Sequence, residues 1–282
     1  MASITDIIKE GLKYPFNDTR KVLILGLIFL ISGLISLFTQ YVVYDSMTLM
    51  VNASPYTSVN GMFASIPPSN SALIFLSWIV TFILFLFTSG YIYDVIKYAI
   101  DGRYELPDFG NILAILKKGL RTLIVGIAYS IVPALIFILG LMLMVNEASG
   151  EAVNMFGLIL LFVSFIVAIF IYLIEVIAIS HMVENDSLKS AFQFSEIFDI
   201  ISNMGWGRFI GALIFAFIVI AIISMFFGMI FGAISTGIGI LFDSALVSTL
   251  VSSILTGLLL SPYISIALGR MFGSVYKEAI SE

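Results

Sequence analysis

Three ionisable residues lie within or next to long apolar runs, where charged side chains are uncommon. Asp94 belongs to the stretch GYIYDVIKYAIDGRYELPDF, whose charges interrupt a long apolar run. Glu175 lies within the apolar stretch AIFIYLIEVIAIS, and Arg270 follows the last apolar run of the chain. Ionisable side chains inside such runs are tolerated mainly where they face a partner or a cavity, and there they often guide ions or solutes. We therefore take Asp94, Glu175 and Arg270 as a candidate polar pathway.

Each of these residues also has an ordinary structural explanation. Asp94, Lys97 and Asp101 are spaced i, i+3 and i, i+4, so their charges can pair along one face of a helix that is leaving an apolar environment. Gly102 is then the expected helix stop. Glu175 could instead reach water or pair with an arginine. The available arginines are Arg121, Arg208 and Arg270.

Other catalytic chemistry finds little support. The chain has no cysteine and a single histidine, His181, which excludes thiolate chemistry, disulfides and a multi-histidine metal centre. His181 is expected to be solvated at a helix end. The serine-hydrolase, zinc-protease and phosphate-loop motifs are absent. We therefore expect no enzyme activity, no cofactor, no metal and no nucleic-acid partner.

The elements that position these residues follow from composition. Of the 282 residues, 60% are hydrophobic and 11% are charged, whereas a soluble domain is about half apolar and about a quarter charged. The apolar residues are concentrated in runs long enough to cross a bilayer as helices. We predict a single all-α polytopic membrane domain over 1–282. Its six transmembrane helices are expected at 22–44, 72–93, 122–145, 155–179, 209–235 and 245–268.

The basic residues predict the orientation of this domain. All 13 lysines and arginines lie on one side of the predicted spans, and the opposite loops at 45–71, 146–154 and 236–244 contain none. Because lysine and arginine mark the cytoplasmic side, both termini are expected in the cytoplasm of a cell-membrane protein. The first apolar run lacks the features of a cleavable signal peptide. Asn52, in an Asn-Ala-Ser sequon of the first outer loop, is a glycosylation candidate.

The chain also contains an internal repeat of three units, at approximately 1–104, 105–185 and 186–282. Each unit has a short amphipathic segment, a span, an outer loop and a returning span, which makes the units parallel repeats. The amphipathic segments are ITDIIKEGLKYPF, GNILAILKKGL and LKSAFQFSEIFDII. They are too short to cross a bilayer, so each is expected either to lie at the cytoplasmic interface or to pack on the bundle as a loop helix. Asp108 is the expected cap of the second segment.

Small residues recur at intervals of four along two spans. Ser224, Gly228 and Gly232 form such a row in the fifth span, and Gly269 and Gly273 repeat the spacing after the sixth. A row of this kind lets two helix backbones approach closely. It indicates either packing within the chain or the face of a homo-oligomer.

Three stretches together resemble a known family. They are LKYPFNDTRK, SGYIYDVIKYAIDGRYELPDF and KKGLRTLIVGIAYSIVPALI, and they are similar to the domain-of-unknown-function family 4013 of archaeal integral membrane proteins. The resemblance is strongest over 7–140, and the second half of the chain matches in hydropathy only. The connector Gly102-Arg103-Tyr104-Glu105-Leu106-Pro107 is one residue longer than the tight Gly-x-x-Leu-Pro form. Because the family has no established activity, the resemblance implies an archaeal cell membrane and transfers no functional residues.

Because we expect no enzyme activity, two classes of function remain as hypotheses. The first is a membrane scaffold or accessory protein that works through lipids and partner helices, either as a homo-oligomer or with another membrane protein. The alternative is a small transporter or channel for a lipid-like or amphiphilic solute, with Glu175, Asp94 and Arg270 along its path. The transporter predicts that these three side chains face one cavity.

Overall fold

The computed structural model describes residues 3–53, 68–144 and 154–281, and the side chains of these residues except those of 45–53 and 68–69. The described residues form helices and no strand. The helices are α1 (Ile4–Lys13), α2 (Thr19–Ala53), α3 (Pro68–Ile100), α4 (Ile112–Met144), α5 (Met155–Asn185), α6 (Phe194–Met204), α7 (Trp206–Leu241), α8 (Ala245–Leu255) and α9 (Ser261–Ile280). Tyr14–Asn17 and Leu188–Phe192 are 3₁₀ turns, and the π-helical turn Thr256–Leu260 joins α8 to α9.

Six helical segments of the described chain are long and apolar enough to cross a membrane, as predicted. They are Thr19–Tyr44, Asn70–Ile100, Ile112–Met144, Met155–Asn185, Trp206–Leu241 and Ala245–Ile280. Helices suit a bilayer because each satisfies its own backbone hydrogen bonds. Their outer faces carry exposed large apolar side chains such as Trp78 and Phe165. Such faces are compatible with contact to lipid rather than to water.

The three amphipathic segments fold in two different ways. The first and third form α1 and α6, which are separate helices, and Gly205 at φ +83° separates α6 from α7. The second is the first part of α4, which continues without a break into the span. The predicted cap is also different. The side chain of Asn111 accepts the N–H of Ala114 at 3.1 Å, while Asp108 pairs with Lys21.

The first outer loop is shorter than predicted. The α2 helix continues through Ala53 and α3 begins at Pro68, so both ends of the predicted loop 45–71 are helical. Backbone hydrogen bonding thus extends the helices beyond their apolar sections. The side chain of Asn52 lies outside those that the structure describes, and its glycosylation stays a prediction.

Glycines mark the closest helix crossings. At the α3–α4 crossing, a methyl group on Gly119 would overlap the carbonyl oxygen of Leu86, and one on Gly90 would overlap that of Ile115. Between α4 and α5, a methyl group on Gly157 would overlap the backbone of Met144, and one on Gly140 would lie 3.0 Å from the side chain of Leu161. These crossings therefore place backbone directly against backbone. None of these four glycines belongs to the rows predicted from sequence.

The two predicted rows of small residues differ in their surroundings. A methyl group on Gly269 would lie 3.0 Å from the side chain of Ile92, and one on Gly273 would lie 2.5 Å from the Cβ of Ala99, so this row packs on α3. In α7, by contrast, no atom of the described residues outside the local helix backbone lies within 4 Å of the corresponding position on Gly228 or Gly232. The α7 row is consequently open.

The buried core lies at one end of the bundle. At this end α3, α5 and α9 finish, α2, α4 and α7 begin, and α1 and α6 pack across them. Fully buried apolar side chains from several helices meet there: Ile177, Ile197, Leu213 and Val275. Both ends of the described chain are held at this end, because Glu10 of α1 contacts Arg270 of α9. The same end carries nearly all the charges.

Candidate functional site

Ion pairs between different segments of the chain form a belt at the charged end. The pairs in this ion-pair belt are Lys21–Asp108 (2.7 Å), Lys118–Asp94 (2.6 Å), Lys97–Glu184 (3.2 Å), Arg121–Asp186 (2.5 Å) and Arg208–Glu278 (3.3 Å). The candidate residue Asp94 is therefore part of the belt. Its partner is Lys118 on α4 rather than Lys97 on its own helix, because the glycine crossing brings α3 and α4 close together. Lys97 still lies 3.6 Å from Asp101, as its spacing suggested.

Asp186 ends α5 at the edge of the belt. Its φ of 47° is left-handed, a conformation that non-glycine residues seldom adopt and that aspartate tolerates better than most. The hydrogen bond from Arg121 lowers the pKa of its carboxyl group, and the Tyr93 hydroxyl donates to the same carboxylate. Because the Asp186 side chain is 76% exposed, this pair orients the helix ends more than it stabilises them.

Arg270 is the largest side chain in the described chain that is fully buried. Its Nε donates to Oε1 of Glu10 at 2.8 Å, a second nitrogen contacts the same oxygen, and the third donates to the carbonyl of Arg103. The guanidinium carbon also lies 4.6 Å from the ring centroid of Tyr14 and 5.3 Å from that of Tyr104. We call Glu10, Tyr14, Tyr104 and Arg270 the Arg270 clamp. It joins α1, the α3–α4 connector and α9.

The stretches LKYPFNDTRK and GRYELPDF contact each other beside this clamp. The Tyr14 hydroxyl donates to the carbonyl of Glu105 at 2.6 Å, and the Asn17 amide donates to that of Tyr104 at 2.8 Å. Lys21 donates to the carbonyl of Leu106 at 2.7 Å. Side chains of one motif therefore satisfy backbone carbonyls of the other. Both stretches were noted in the sequence, but their contact was not predicted. Neither stretch contains a pattern that indicates which other segment it binds.

Replacement of Tyr14 by phenylalanine is expected to lower the free energy of unfolding by about 1 kcal/mol, because one hydrogen bond is lost and the ring stays. Burial raises the pKa of Tyr14 from 10.0 to about 12. A raised pKa gives stability that is complete below the unfolded value and is lost as the pH rises through the folded one. Thermal unfolding in detergent between pH 8 and pH 12 should therefore show a smaller alkaline loss in Tyr14→Phe than in the wild type.

The control for this measurement is Tyr104→Phe, since the side chain of Tyr104 is 67% exposed. Its alkaline stability profile should follow that of the wild type. Equal alkaline loss in Tyr14→Phe and the wild type would contradict the assignment.

His181 is buried, so the expectation of a solvated histidine at the end of α5 is wrong. It is 6% exposed, its Nδ1 lies 2.8 Å from the Tyr276 hydroxyl, and its Nε2 lies 3.1 Å from a carboxylate oxygen of Glu196. Residues of α6 and α9 cover the His181 ring. The sequence gives no indication that these two helices pack over it. His181 thus links three helices.

Glu175 differs from the other two candidates. It faces a groove of about 600 Å³ between α4, α5 and α7. No hydrogen bond or ion pair joins its carboxylate to any residue with a described side chain. The three arginines considered as its partners bind elsewhere: Arg121 to Asp186, Arg208 to Glu278 and Arg270 to Glu10. The groove walls are apolar apart from a few polar groups, including those of Ser130 and Tyr172.

The structure does not bring the three pathway candidates together. Asp94 lines a separate cavity of about 280 Å³ with Lys118, Arg270 is enclosed in its clamp, and Glu175 lines the α4–α5–α7 groove. The three side chains thus occupy three different environments. Within the described residues, no group of three or more histidine and acidic side chains could hold a metal ion.

Comparison with known proteins agrees with the resemblance found in the sequence. A family model described as "Protein of unknown function (DUF4013)" matches residues 73–232, which begin after the Lys13-Tyr14-Pro15-Phe16 stretch and reach into α7. The similarity therefore extends past residue 140 into the second half. An uncharacterized protein of Methanocaldococcus jannaschii, MJ1189, is 29% identical over 211 residues, covering 72% of this chain and 70% of that protein. No solved structure gives a significant match. Since the matched region is more than half of the chain, this six-span protein belongs to the DUF4013 family.

Proposed function

We propose that this protein is a membrane scaffold or accessory protein that acts in the plane of the bilayer, through lipids and through helices of neighbouring proteins. The observation that carries the proposal is the open α7 row of Ser224, Gly228 and Gly232. Glycines at other crossings are covered by a neighbouring helix, whereas Gly228 and Gly232 have nothing close to them among the described residues. Small residues let backbones approach, so this face suits a second helix.

The partner proposed for this face is a second copy of the same chain. Closed homo-oligomers are the commonest assemblies, and a helix face that meets its own copy needs no second gene product. Large apolar side chains flank the row, including Met225 and Met229, which are 68% and 59% exposed. Methionine adapts its shape to a partner surface. The face therefore combines a row of small residues, which allows close approach, with flexible methionine side chains beside it.

The location proposed for the protein is the cell membrane, with both termini in the cytoplasm. Its support is the distribution of charge, since the ion-pair belt and all the lysines and arginines lie at one end of the spans. The opposite end has no basic residue. Under the positive-inside rule the belt faces the cytoplasm.

Transport along Asp94, Glu175 and Arg270 has less support. A shared path needs the three groups to face one cavity, and they lie in three separate environments. Asp94 and Arg270 are already bound to Lys118 and Glu10. Neutralising Glu175 is accordingly expected to leave the scaffold role intact.

Substitution of Gly228 by leucine is expected to weaken self-association in lipid vesicles roughly tenfold, because the side chain keeps the two α7 backbones apart. The natural chain has no cysteine, so Ser281→Cys supplies a single labelling site at its exposed end. Energy transfer between donor-labelled and acceptor-labelled copies, measured against the protein-to-lipid ratio, reports the association.

The control is Gly33→Leu, because Gly33 lies on α2 and also has nothing within 4 Å of its added methyl position. This variant should associate like the wild type. A wild-type protein that shows no energy transfer beyond random encounter, or Gly228→Leu and Gly33→Leu curves that coincide, would refute self-assembly through α7.

A further inference from the structure

The carboxylate of Glu175 has no role in holding the described fold together. Its carboxylate makes no hydrogen bond or ion pair to a described side chain, although the other two candidate ionisable groups, Asp94 and Arg270, are both paired. A methyl group added to Gly126 would lie 3.4 Å from its Oε1, which places the carboxylate beside α4 at that level. Gly126 is five residues beyond Arg121 of the ion-pair belt, or about 7.5 Å along the helix. Glu175 therefore lies just inside the apolar part of the spans.

The groove beside Glu175 opens sideways, toward the region that lipid would occupy. Several of the residues that line it are strongly exposed, among them Phe165 (64%) and Ile218 (50%). Its volume of about 600 Å³ lies within the range of roughly 300–1,000 Å³ typical of small-molecule sites. A ligand could enter from the bilayer without crossing the ion-pair belt.

The polar groups that line the groove favour a cation. Glu175 is an acceptor, and Pro133 has no N–H to donate to the carbonyl of Tyr129 one turn earlier on α4. Aromatic rings line the same groove, and the rings of Tyr172 and Phe217 lie 5.7 Å apart between centroids. Carboxylates attract ammonium groups directly, and aromatic faces attract them through cation–π contacts. The rest of the lining is apolar and suits a hydrocarbon chain.

We propose that the α4–α5–α7 groove is a binding site for a membrane amphiphile with a cationic amine head group. The head group binds Glu175 beside the aromatic rings, and the chain lies along the apolar walls and leaves toward the bilayer. An anionic amphiphile would be repelled by the carboxylate. Calcium and magnesium ions take six or more oxygen ligands, whereas the described lining of the groove offers a single carboxylate. The site does not depend on self-association through α7.

The test uses photoreactive probes on the full chain in dodecyl maltoside, a detergent with an uncharged head group. Three tetradecyl probes with a diazirine in the chain differ only in their head group: trimethylammonium, hydroxyl or sulfate. Wild-type protein is expected to be labelled within α5 and α7 by the ammonium probe on the order of tenfold more strongly than by the hydroxyl probe, because only the ammonium group carries a charge that Glu175 and the aromatic faces attract. Mass spectrometry of the peptides locates the label.

Two variants, with a third as control, separate the effect of the Glu175 charge from the effect of the groove's shape. Glu175→Gln should reduce ammonium labelling to the level of the hydroxyl probe, while the hydroxyl probe itself reports that the groove remains folded. Ala168→Phe keeps the carboxylate and fills a lining position, so it should reduce labelling by both probes. Glu105→Gln removes a carboxylate on the exposed connector and should change neither.

Equal labelling by the ammonium and hydroxyl probes in the wild type would overturn the proposal, as would ammonium labelling that persists in Glu175→Gln. A groove that is occupied by a second copy would instead lose all labelling as protein concentration rises, and this would also contradict an amphiphile site. The scaffold proposal would be judged separately by the energy-transfer measurement on Gly228→Leu.

Discussion

Replacement of Arg270 by alanine is expected to lower the free energy of unfolding by about 3–5 kcal/mol, as for other broken buried charge pairs. The substitution removes the donors to Glu10 and to the carbonyl of Arg103, together with the contacts to the rings of Tyr14 and Tyr104. Glu10, whose side chain is 34% exposed, keeps a charge without its partner. We therefore expect α1 and the α3–α4 connector to loosen from α9.

Arg270→Lys adds a second test of the clamp. Lysine keeps the charge and loses the planar fork that serves two acceptors at once, so its loss of stability should fall between those of wild type and alanine. The free energy is measured by titration of the purified protein in dodecyl maltoside with a denaturing detergent, followed by circular dichroism. Protease cleavage near residues 14–18 would report the release of α1.

The control for the clamp is Arg103→Ala. The Arg103 side chain is 52% exposed and lies 3.6 Å from Asp101, and an exposed pair of this kind contributes at most about 1 kcal/mol. If Arg270→Ala is no more destabilising than Arg103→Ala, the buried guanidinium does not hold these three segments together.

Substitution of Gly119 by leucine is expected to destabilise the fold by about 3 kcal/mol or more, at the upper end of the usual cost of overpacking. Any side chain at this position meets the carbonyl oxygen of Leu86, which belongs to the backbone of α3 and cannot rotate away. The two helices must separate, and this would also move Lys118 away from Asp94. The same detergent titration measures the effect.

Gly33→Leu is the matched control, because the replacement is identical and Gly33 has open space around it. Its stability should lie within about 0.5 kcal/mol of the wild type, as for other surface changes. Similar losses in Gly119→Leu and Gly33→Leu would mean that the α3–α4 crossing is not a tight backbone contact.

The glycines illustrate why some of the site could not be predicted. Sequence reasoning selected Gly228 and Gly232 because they form a regular row, yet the closest helix crossings use Gly90 and Gly119, which belong to no such row. A crossing needs one small residue on each of two helices at the same depth. The sequence of one helix does not contain that relation, since it depends on how both helices are rotated.

The partner of Asp94 was missed for the same reason, although the predicted pair of Lys97 with Asp101 is present at 3.6 Å. The spacing of Asp94 and Lys97 allowed a pair within α3, but Lys118 on α4 reaches Asp94 at 2.6 Å. Spacing along one helix describes neighbours on that helix only. Glu175 has no basic residue close to it in sequence, and the three arginines considered as its partners bind other residues in the structure.

The sequence by itself determined the all-α class, the six spans and the collection of charge at one end. These features are local, because a run of about 20 apolar residues must form a helix in a bilayer whatever surrounds it. Only the tertiary structure decided which glycines meet, that Arg270 lies buried between α1 and the connector, and that Glu175 faces a groove. These features depend on the rotation of each helix about its axis, and spans that are apolar on every side carry little information about that rotation.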